Sequence, residues 1–314
     1  MGKHSPLAHT PIMKEETVSY LLTDLSGIYV DCTLGAGGHT EAILKALNPQ
    51  GRLIGIDRDQ RAITNFRRHF ARYLSRVTLF HSRHALLGDL LKGEGIFHVH
   101  GVLFDLGLAS FQIDEPGRGF SYLHDGPLDM RVDSSQHITA ETVVNEYGEG
   151  DLARVIREYG EEPSWRRVAR AIVRARLRGS IETTFQLAEI VRRNIPRAHV
   201  IKSLSRVFQA IRVEVNGELE ELRQGLEVAV AFLKPGGRLV VICYQSLEDR
   251  AVKSLFWRLS GVCQCPKNLP QCVCSPRKDL QVLTRRAVRP TAQERERNPR
   301  ARSARLRAAQ KMGS

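Results

Sequence analysis

The chain has 314 residues, 42% of them hydrophobic, enough for one large domain or two ordinary ones with a real core. No apolar run approaches the ~20 residues needed to cross a bilayer, and Met1–Thr10 carries no apolar secretory segment. No membrane partner and a cytoplasmic location are therefore expected. Lys plus Arg number 47 against 34 Asp plus Glu, a formal charge of +13, which favours a polyanionic partner through phosphate neutralisation and counterion release. A soluble basic protein with no nucleic-acid role carries the same balance, so charge alone does not choose.

In chain order, Ile28–Thr33 reads as a short apolar strand, followed by a glycine-rich loop and a helix from Thr40 to Leu47. Arg52–Asp57 is a second strand, Asp59–Tyr73 an amphipathic helix, Val77–His81 a third strand and Val99–Leu106 a fourth. Strands separated by helical patterns imply βαβ units and a parallel sheet. Between Gln112 and Gly126 the pattern breaks into turn signals. Beyond Thr139 it is helical: Asp151–Glu161, then a helix capped by Ser164 that runs to Arg178. A third helix starts at Thr183 or Thr184 and ends before Pro196. A fourth, Ser203–Val215, places Val207, Phe208, Ile211 and Val215 on one face. Alternation then resumes with a helix Glu218–Leu233, a Lys234–Gly237 turn, a buried strand Arg238–Tyr244 and a helix Ser246–Leu259. Leu280–Thr284 and Ser303–Ala308 close the chain as an antiparallel strand pair. The expected architecture is α/β: a doubly wound sheet domain of residues 1–112 and 216–314, interrupted by an all-helical insert of residues 113–215.

The loop after the first strand holds Gly35, Gly37, Gly38 and His39. Glycines let the backbone turn tightly and approach a ligand, the next helix offers unsatisfied N–H groups, and ligands bind at the carboxyl ends of strands in open α/β sheets. Asp57 ends the second strand 22 residues after Gly35, where a carboxylate holds ribose hydroxyls. A dinucleotide fingerprint would need a third glycine where Thr40 stands, which disfavours a nicotinamide enzyme. The pattern from Asp31 to Gly37 resembles instead the first motif of class I (Rossmann-like) S-adenosylmethionine-dependent methyltransferases, as does Lys234-Pro-Gly-Gly237 before a strand. Asp105 ends the fourth strand, the end that in that class lies beside the transferred methyl.

Six cysteines are present. Cys32 and Cys243 sit in apolar stretches and read as small buried residues. Cys263, Cys265, Cys272 and Cys274 are close enough to hold zinc, although CxC is tighter than the usual CxxC knuckle; a reduced surface loop is the alternative.

A more specific resemblance runs along nearly the whole chain. His9–Met13, Gly37–Thr40, Gly55–Asp59, Asp105–Gly107, Arg118–Ser121, Asp125–Arg131, Tyr159–Glu162, Phe208–Arg212, Asn216–Leu219, Ser246–Arg250 and Asn298–Ser303 occur in the order of the RsmH/MraW family of 16S rRNA cytidine methyltransferases. The resemblance implies N4-methylation of a cytidine in the decoding region of 16S rRNA, on the small ribosomal subunit. It implies cofactor contacts at Gly37, Gly38, His39, Asp57, Asp105 and Gln112, with Gly35 in the same loop and His84 where the family commonly has an adenine-side Phe. Ala109-Ser110 replaces a common Ser-Ser pair, and Tyr244-Gln245-Ser246 replaces Phe-His-Ser.

Methylating an exocyclic amine needs acceptors on its N–H groups to favour the nucleophilic geometry and the developing positive charge. Asp105 is the first candidate, with Ser110, Asn216 and Asp129 behind it; Asn216 reads equally well as a helix cap. The target base must be unstacked. Arg166, Arg167, Arg170, Arg174, Arg176 and Arg178 in the insert, and the Arg-rich tail, are candidate phosphate contacts. No stable protein partner is expected, and a homodimer stays open. The alternatives are an amino-directed methyltransferase acting on DNA or protein, and a non-catalytic RNA-binding protein.

Overall fold

A computed structural model describes residues 11–263, 265 and 278–313, and the chain divides into two compact units, Met1–Gly107 with Leu219–Ser314, and Leu108–Glu218. The first unit is a seven-stranded sheet in the order β3-β2-β1-β4-β5-β7-β6. Its strands are β1 (Ile28–Asp31), β2 (Arg52–Asp57), β3 (Val77–His81), β4 (Val99–Asp105), β5 (Leu233–Cys243), β6 (Leu280–Val282) and β7 (Arg305–Lys311). The first five are parallel; β7 runs antiparallel to both β5 and β6. The strand order reverses between β1 and β4, so their carboxyl ends open a crevice of the kind that takes ligands in this fold class.

The sheet is buried on both faces, which is why its strands are nearly continuous apolar runs. Val30, Ile54, Phe104 and Val241 point to one side. There they meet the helices α4 (Leu87–Gly93), α11 (Glu218–Phe232) and α12 (Ser246–Arg258). Tyr29, Leu53, Leu103 and Val240 point to the other, where α1 (Lys14–Leu21), α2 (Gly38–Ala46) and α3 (Gln60–His69) pack. Each fully buried Leu or Phe in these layers contributes roughly 1.5–3 kcal/mol. A short α13 (Ala292–Arg297) precedes β7.

The second unit is helical: after a short α5 (Ser110–Ile113), the helices α6 (Ala140–Glu146), α7 (Glu149–Glu158), α8 (Trp165–Arg176), α9 (Thr184–Asn194) and α10 (Val200–Asn216) enclose their own apolar core. The α10 residues Val207, Phe208, Ile211 and Val215 are all inside it. Thr183 caps α9 in a capping box with Gln186. Ser164 precedes α8 but makes no side-chain cap.

Three local expectations are corrected. The Asp59–Tyr73 helix ends at His69 and continues as a 3₁₀ turn, Ala71–Arg76. Phe70 turns inward at the break and stacks on Phe66 at 4.8 Å. The helix after the glycine loop begins at Gly38, two residues before Thr40. Lys234–Gly237 is a bulge within β5, between the Val99–Leu233 and Gly101–Arg238 pairs, with Gly236 at φ 80°. No helix among the described residues is long and apolar enough to cross a membrane.

Candidate active site

Three carboxylates stand at the carboxyl ends of adjacent parallel strands: Asp31 on β1, Asp57 on β2 and Asp105 on β4. The turn between β1 and α2 is locked to two of them. Asp31 accepts the Thr33 N–H at 3.1 Å and the Thr40 hydroxyl at 2.7 Å. Asp57 accepts the Gly35 N–H at 2.8 Å through Oδ2 and the Asp59 N–H at 2.8 Å through Oδ1. The Asp57 carboxylate therefore faces the glycine turn.

The glycines are required by geometry. Gly37 is the left-handed N-cap of α2, at φ 83°. A Cβ there would stand 2.7 Å from the Phe66 ring and 2.8 Å from that of Phe70. A Cβ on Gly38 would meet the Pro11 ring at 3.0 Å, so the N-terminal segment lies directly on the loop. No side chain caps α2, so no capping side chain meets the unsatisfied N–H groups of its first turn. We expect Gly37→Ala to cost about 2–5 kcal/mol of stability, from left-handed strain plus overpacking, read as a lowered urea midpoint. An unchanged midpoint would show that the loop relaxes freely.

Burial raises the Asp57 carboxyl to about 6, against the two backbone N–H groups that lower it. Burial also raises Asp31, with the Thr40 hydroxyl opposing. His39, 5% exposed, sits on the first turn of α2 with Nε2 3.4 Å from Asp105 Oδ2. Neither ring nitrogen has a hydrogen-bond partner among the described residues. Burial pushes this imidazole down, but the Asp105 and Asp31 carboxylates outweigh it and leave it above its ordinary value. Asp105 is anchored through its N–H, which donates to Thr33 Oγ1 at 2.6 Å, and through Oδ1, which accepts the Tyr244 hydroxyl at 2.9 Å.

Gly35, Gly37, Gly38, His39, Asp57 and Asp105 thus come together. His84 makes its contacts with β4 and α11. Its ring meets Phe104 edge-on at 5.3 Å, and a Cβ on Gly225 of α11 would stand 2.6 Å from its Nδ1. Its backbone N–H donates to Glu221 Oε1 at 3.1 Å. Burial holds this imidazole down at about 4; the pull of Glu221 is opposed by Arg58 and Arg83.

In the helical unit, Gln112 is buried and its Oε1 accepts the Ala109 N–H at 2.9 Å. Ser110 opens α5. Asn216, 2% exposed, donates to the Met130 and Arg212 carbonyls and accepts the Val132 N–H, which makes it a staple between α10 and the preceding loop. Asp129 is held by the Arg131 guanidinium at 2.8 Å and by its N–H. Burial raises that carboxyl and Arg131 outweighs it, leaving it below its usual range. Both residues therefore serve the loop that Arg118 also grips through the Arg131 and Val132 carbonyls.

Three residues escaped the sequence reading as site members: Thr33, Glu221 and Tyr244. Glu221, 0% exposed, takes Arg58 at 2.7 Å and Arg83 at 3.2 Å and so ties β2 and β3 to α11. Its signal was a glutamate on the apolar face between Leu219 and Leu222. Of the cysteine cluster, Cys263 is exposed and Cys265 half-buried, while Cys272 and Cys274 lie outside the described residues. Among the described residues no group of His, Cys, Asp and Glu is placed to hold a metal ion.

The family model of the MraW methylase family matches residues 6–312. The chain is 46% identical over 305 residues to a protein named ribosomal RNA small subunit methyltransferase H from Caldicellulosiruptor saccharolyticus, covering 97% of this chain and 99% of that one. Proteins of the same name from Symbiobacterium thermophilum and Geobacter sulfurreducens are 47% and 46% identical. These matches cover 97% of this chain in both cases, and 96% and 99% of the relatives. With the strand order, the glycine turn and the strand-end carboxylates, these matches over almost its whole length show that the chain belongs to the MraW methylase family.

Proposed function

We propose that this chain transfers the methyl group of S-adenosylmethionine to N4 of a cytidine in the decoding region of 16S rRNA, on the small ribosomal subunit. The observation that carries the reading is the set of Gly35–His39, Asp57 and Asp105 at the carboxyl ends of adjacent parallel strands, in a chain that aligns almost end to end with small-subunit rRNA methyltransferases.

The residues fit the cofactor. Each Asp57 oxygen accepts one backbone N–H and has capacity for a further donor, which two ribose hydroxyls would fill. The uncapped N-terminus of α2 suits a carboxylate. Asp31 and Asp105 supply negative charge for a cationic donor. When bound, S-adenosylmethionine supplies an electrophilic methyl on a sulfonium. Gly37 and Gly38 then let the backbone approach. His84 would act through the Glu221 hub that braces the Asp57–Arg58 corner.

Asp105 Oδ2 accepts from the target amine, which keeps the nitrogen lone pair available and stabilises the charge that develops on it. Alignment of nucleophile and methyl supplies much of the rest, because it removes a bimolecular entropy cost. The helical unit carries a basic surface suited to RNA. Arg166, Arg167, Arg170, Arg174 and Arg178 are exposed on or just beyond α8 as candidate phosphate contacts, although Arg166 lies over the Trp165 ring, Arg167 donates to the Asn194 carbonyl and Arg170 pairs with Glu149 at 3.5 Å. Arg176 has a structural task, donating to the Val144 and Tyr147 carbonyls. In the tail, Arg305 and Arg307 are taken by Asp249, while Arg295, Arg297, Arg300 and Arg302 are exposed.

A tritiated-methyl assay with assembled small subunits, free 16S rRNA, DNA and protein tests the reading. Label in the rRNA of small subunits supports it; label only in DNA or protein, or none, overturns it. The Asp57 carboxyl adds a pH signature. Its ionised form accepts the ribose hydroxyls, so affinity for S-adenosylmethionine rises as pH passes upward through about 6. Because this carboxyl is raised in the fold, it stabilises the ligand-free protein below its ordinary value of 3.8, and that contribution is lost as pH rises through about 6. Calorimetric titration between pH 5 and 8 checks the first trend, and a flat profile contradicts it.

A further inference from the structure

Asp105 has two unequal oxygens. Oδ1 takes the Tyr244 hydroxyl at 2.9 Å, and Oδ2 lies 3.4 Å from His39 Nε2. We propose that Tyr244 is a positioning residue for methyl transfer: its hydroxyl occupies Oδ1 and leaves Oδ2, the oxygen facing His39, as the acceptor presented to the target amine.

The need for a tether follows from the backbone. Asp105 is the last residue of β4, and Gly107 turns the chain away at φ 113°. The Thr33 hydroxyl holds the Asp105 N–H but leaves the carboxylate free to rotate about its side-chain torsions. The Tyr244 hydroxyl removes that freedom. Tyr244 is itself fixed: it follows Cys243, which pairs with Arg305 on β7, and its N–H donates to Glu248 Oε2 at 2.9 Å. Its ring lies against Gly107, where a Cβ would come to 3.3 Å from Cδ2. Burial and the adjacent Asp105 charge push the phenol well above its ordinary value, so it remains a donor throughout the working pH range.

The tether is this chain's own feature. The family resemblance places Phe at this position, so Tyr244→Phe keeps the ring packing and deletes only the donor. The groups acting on the cluster are His39 from α2, Asp31 from β1, Tyr244 after β5, Glu248 from α12 and Glu294 from α13. None of the others donates to Asp105 Oδ1. Without the phenol, more of the carboxylate charge falls on His39.

The inference rests on the proposed methyl transfer, and Tyr244→Phe separates the two. In the ligand-free protein, the His39 titration is followed by NMR, its resonance assigned by loss in His39→Gln. The midpoint is expected to rise by about half a pH unit or more in Tyr244→Phe, as the imidazolium becomes the main donor left to Asp105. With small subunits as substrate, kcat is expected to fall about ten-fold, while the Kd for S-adenosylmethionine stays within about three-fold, the signature of one lost charge-assisted hydrogen bond. An unmoved His39 midpoint shows that the tether is absent. A moved midpoint with unchanged kcat shows that it does not position the acceptor. A kcat that falls together with cofactor affinity and stability shows a packing role alone. A wild-type protein that transfers no methyl defeats the proposed function, and the titration still reports on the tether.

Discussion

Asp105→Asn is expected to lower kcat about 100- to 1,000-fold, the loss typical of removing one preorganised partner of developing charge. The substitution is nearly isosteric. Asn keeps an oxygen for the Tyr244 hydroxyl and leaves the Asp105 N–H on Thr33 undisturbed. It removes the negative charge that would stabilise the amine as it becomes cationic. The Kd for S-adenosylmethionine should weaken less than about ten-fold, since at most one charged contact to the donor is altered. Single-turnover kinetics with saturating cofactor separates the two terms. A kcat within a few-fold of wild type would remove Asp105 from the chemical step.

The complementary variant is Asp57→Ala, for which the Kd for S-adenosylmethionine should rise about 100-fold or more. Hydrogen bonds from two ribose hydroxyls to a charged acceptor are each worth roughly 1.5–3 kcal/mol. Burial, with the Asp59 and Asp31 charges behind it, raises its carboxyl to about 6 against the Asp59 and Gly35 N–H groups, so the ligand-free protein holds it at a disadvantage at neutral pH. Its two backbone donors, Gly35 and Asp59, lose their acceptor in the variant, so the fold is checked by urea unfolding alongside calorimetry. Saturating cofactor should restore most of kcat, because Asp57 does not touch the amine. A Kd within three-fold of wild type would contradict the ribose role.

The strands were legible because each parallel strand is buried on both faces and so appears as a continuous apolar run. The glycine turn was legible because only glycine satisfies both the φ of 83° at Gly37 and the lack of room beside Phe66 and Phe70. The N-terminal helix was not, since Lys14–Leu21 buries only Thr17 and Leu21 and has no apolar stripe to betray it. The break after His69 was hidden for the opposite reason: Phe70 continues the helical spacing, and only its packing on Phe66 shows that the chain has changed course. Tyr244 and Asp105 are 139 residues apart and meet because β5 pairs with β4, a relation that no local pattern carries. His84 was read by alignment onto an aromatic position, but its ring direction depends on Gly225 and Glu221 of a helix far along the chain. Asn216 stood equally as catalyst or cap, and its three backbone partners show it as a staple.

The carboxyl ends of β1, β2 and β4 are expected to hold a methyl donor opposite an RNA amine. Nucleoside mass spectrometry of 16S rRNA, from small subunits lacking the modification and treated with the purified protein and S-adenosylmethionine, tests it most directly. N4-methylation of a single decoding-region cytidine is expected, abolished by Asp57→Ala at limiting cofactor and slowed by Asp105→Asn at any cofactor level. A methyl group found on another atom or another molecule, or subunits left unmodified by a folded, cofactor-binding protein, would contradict it.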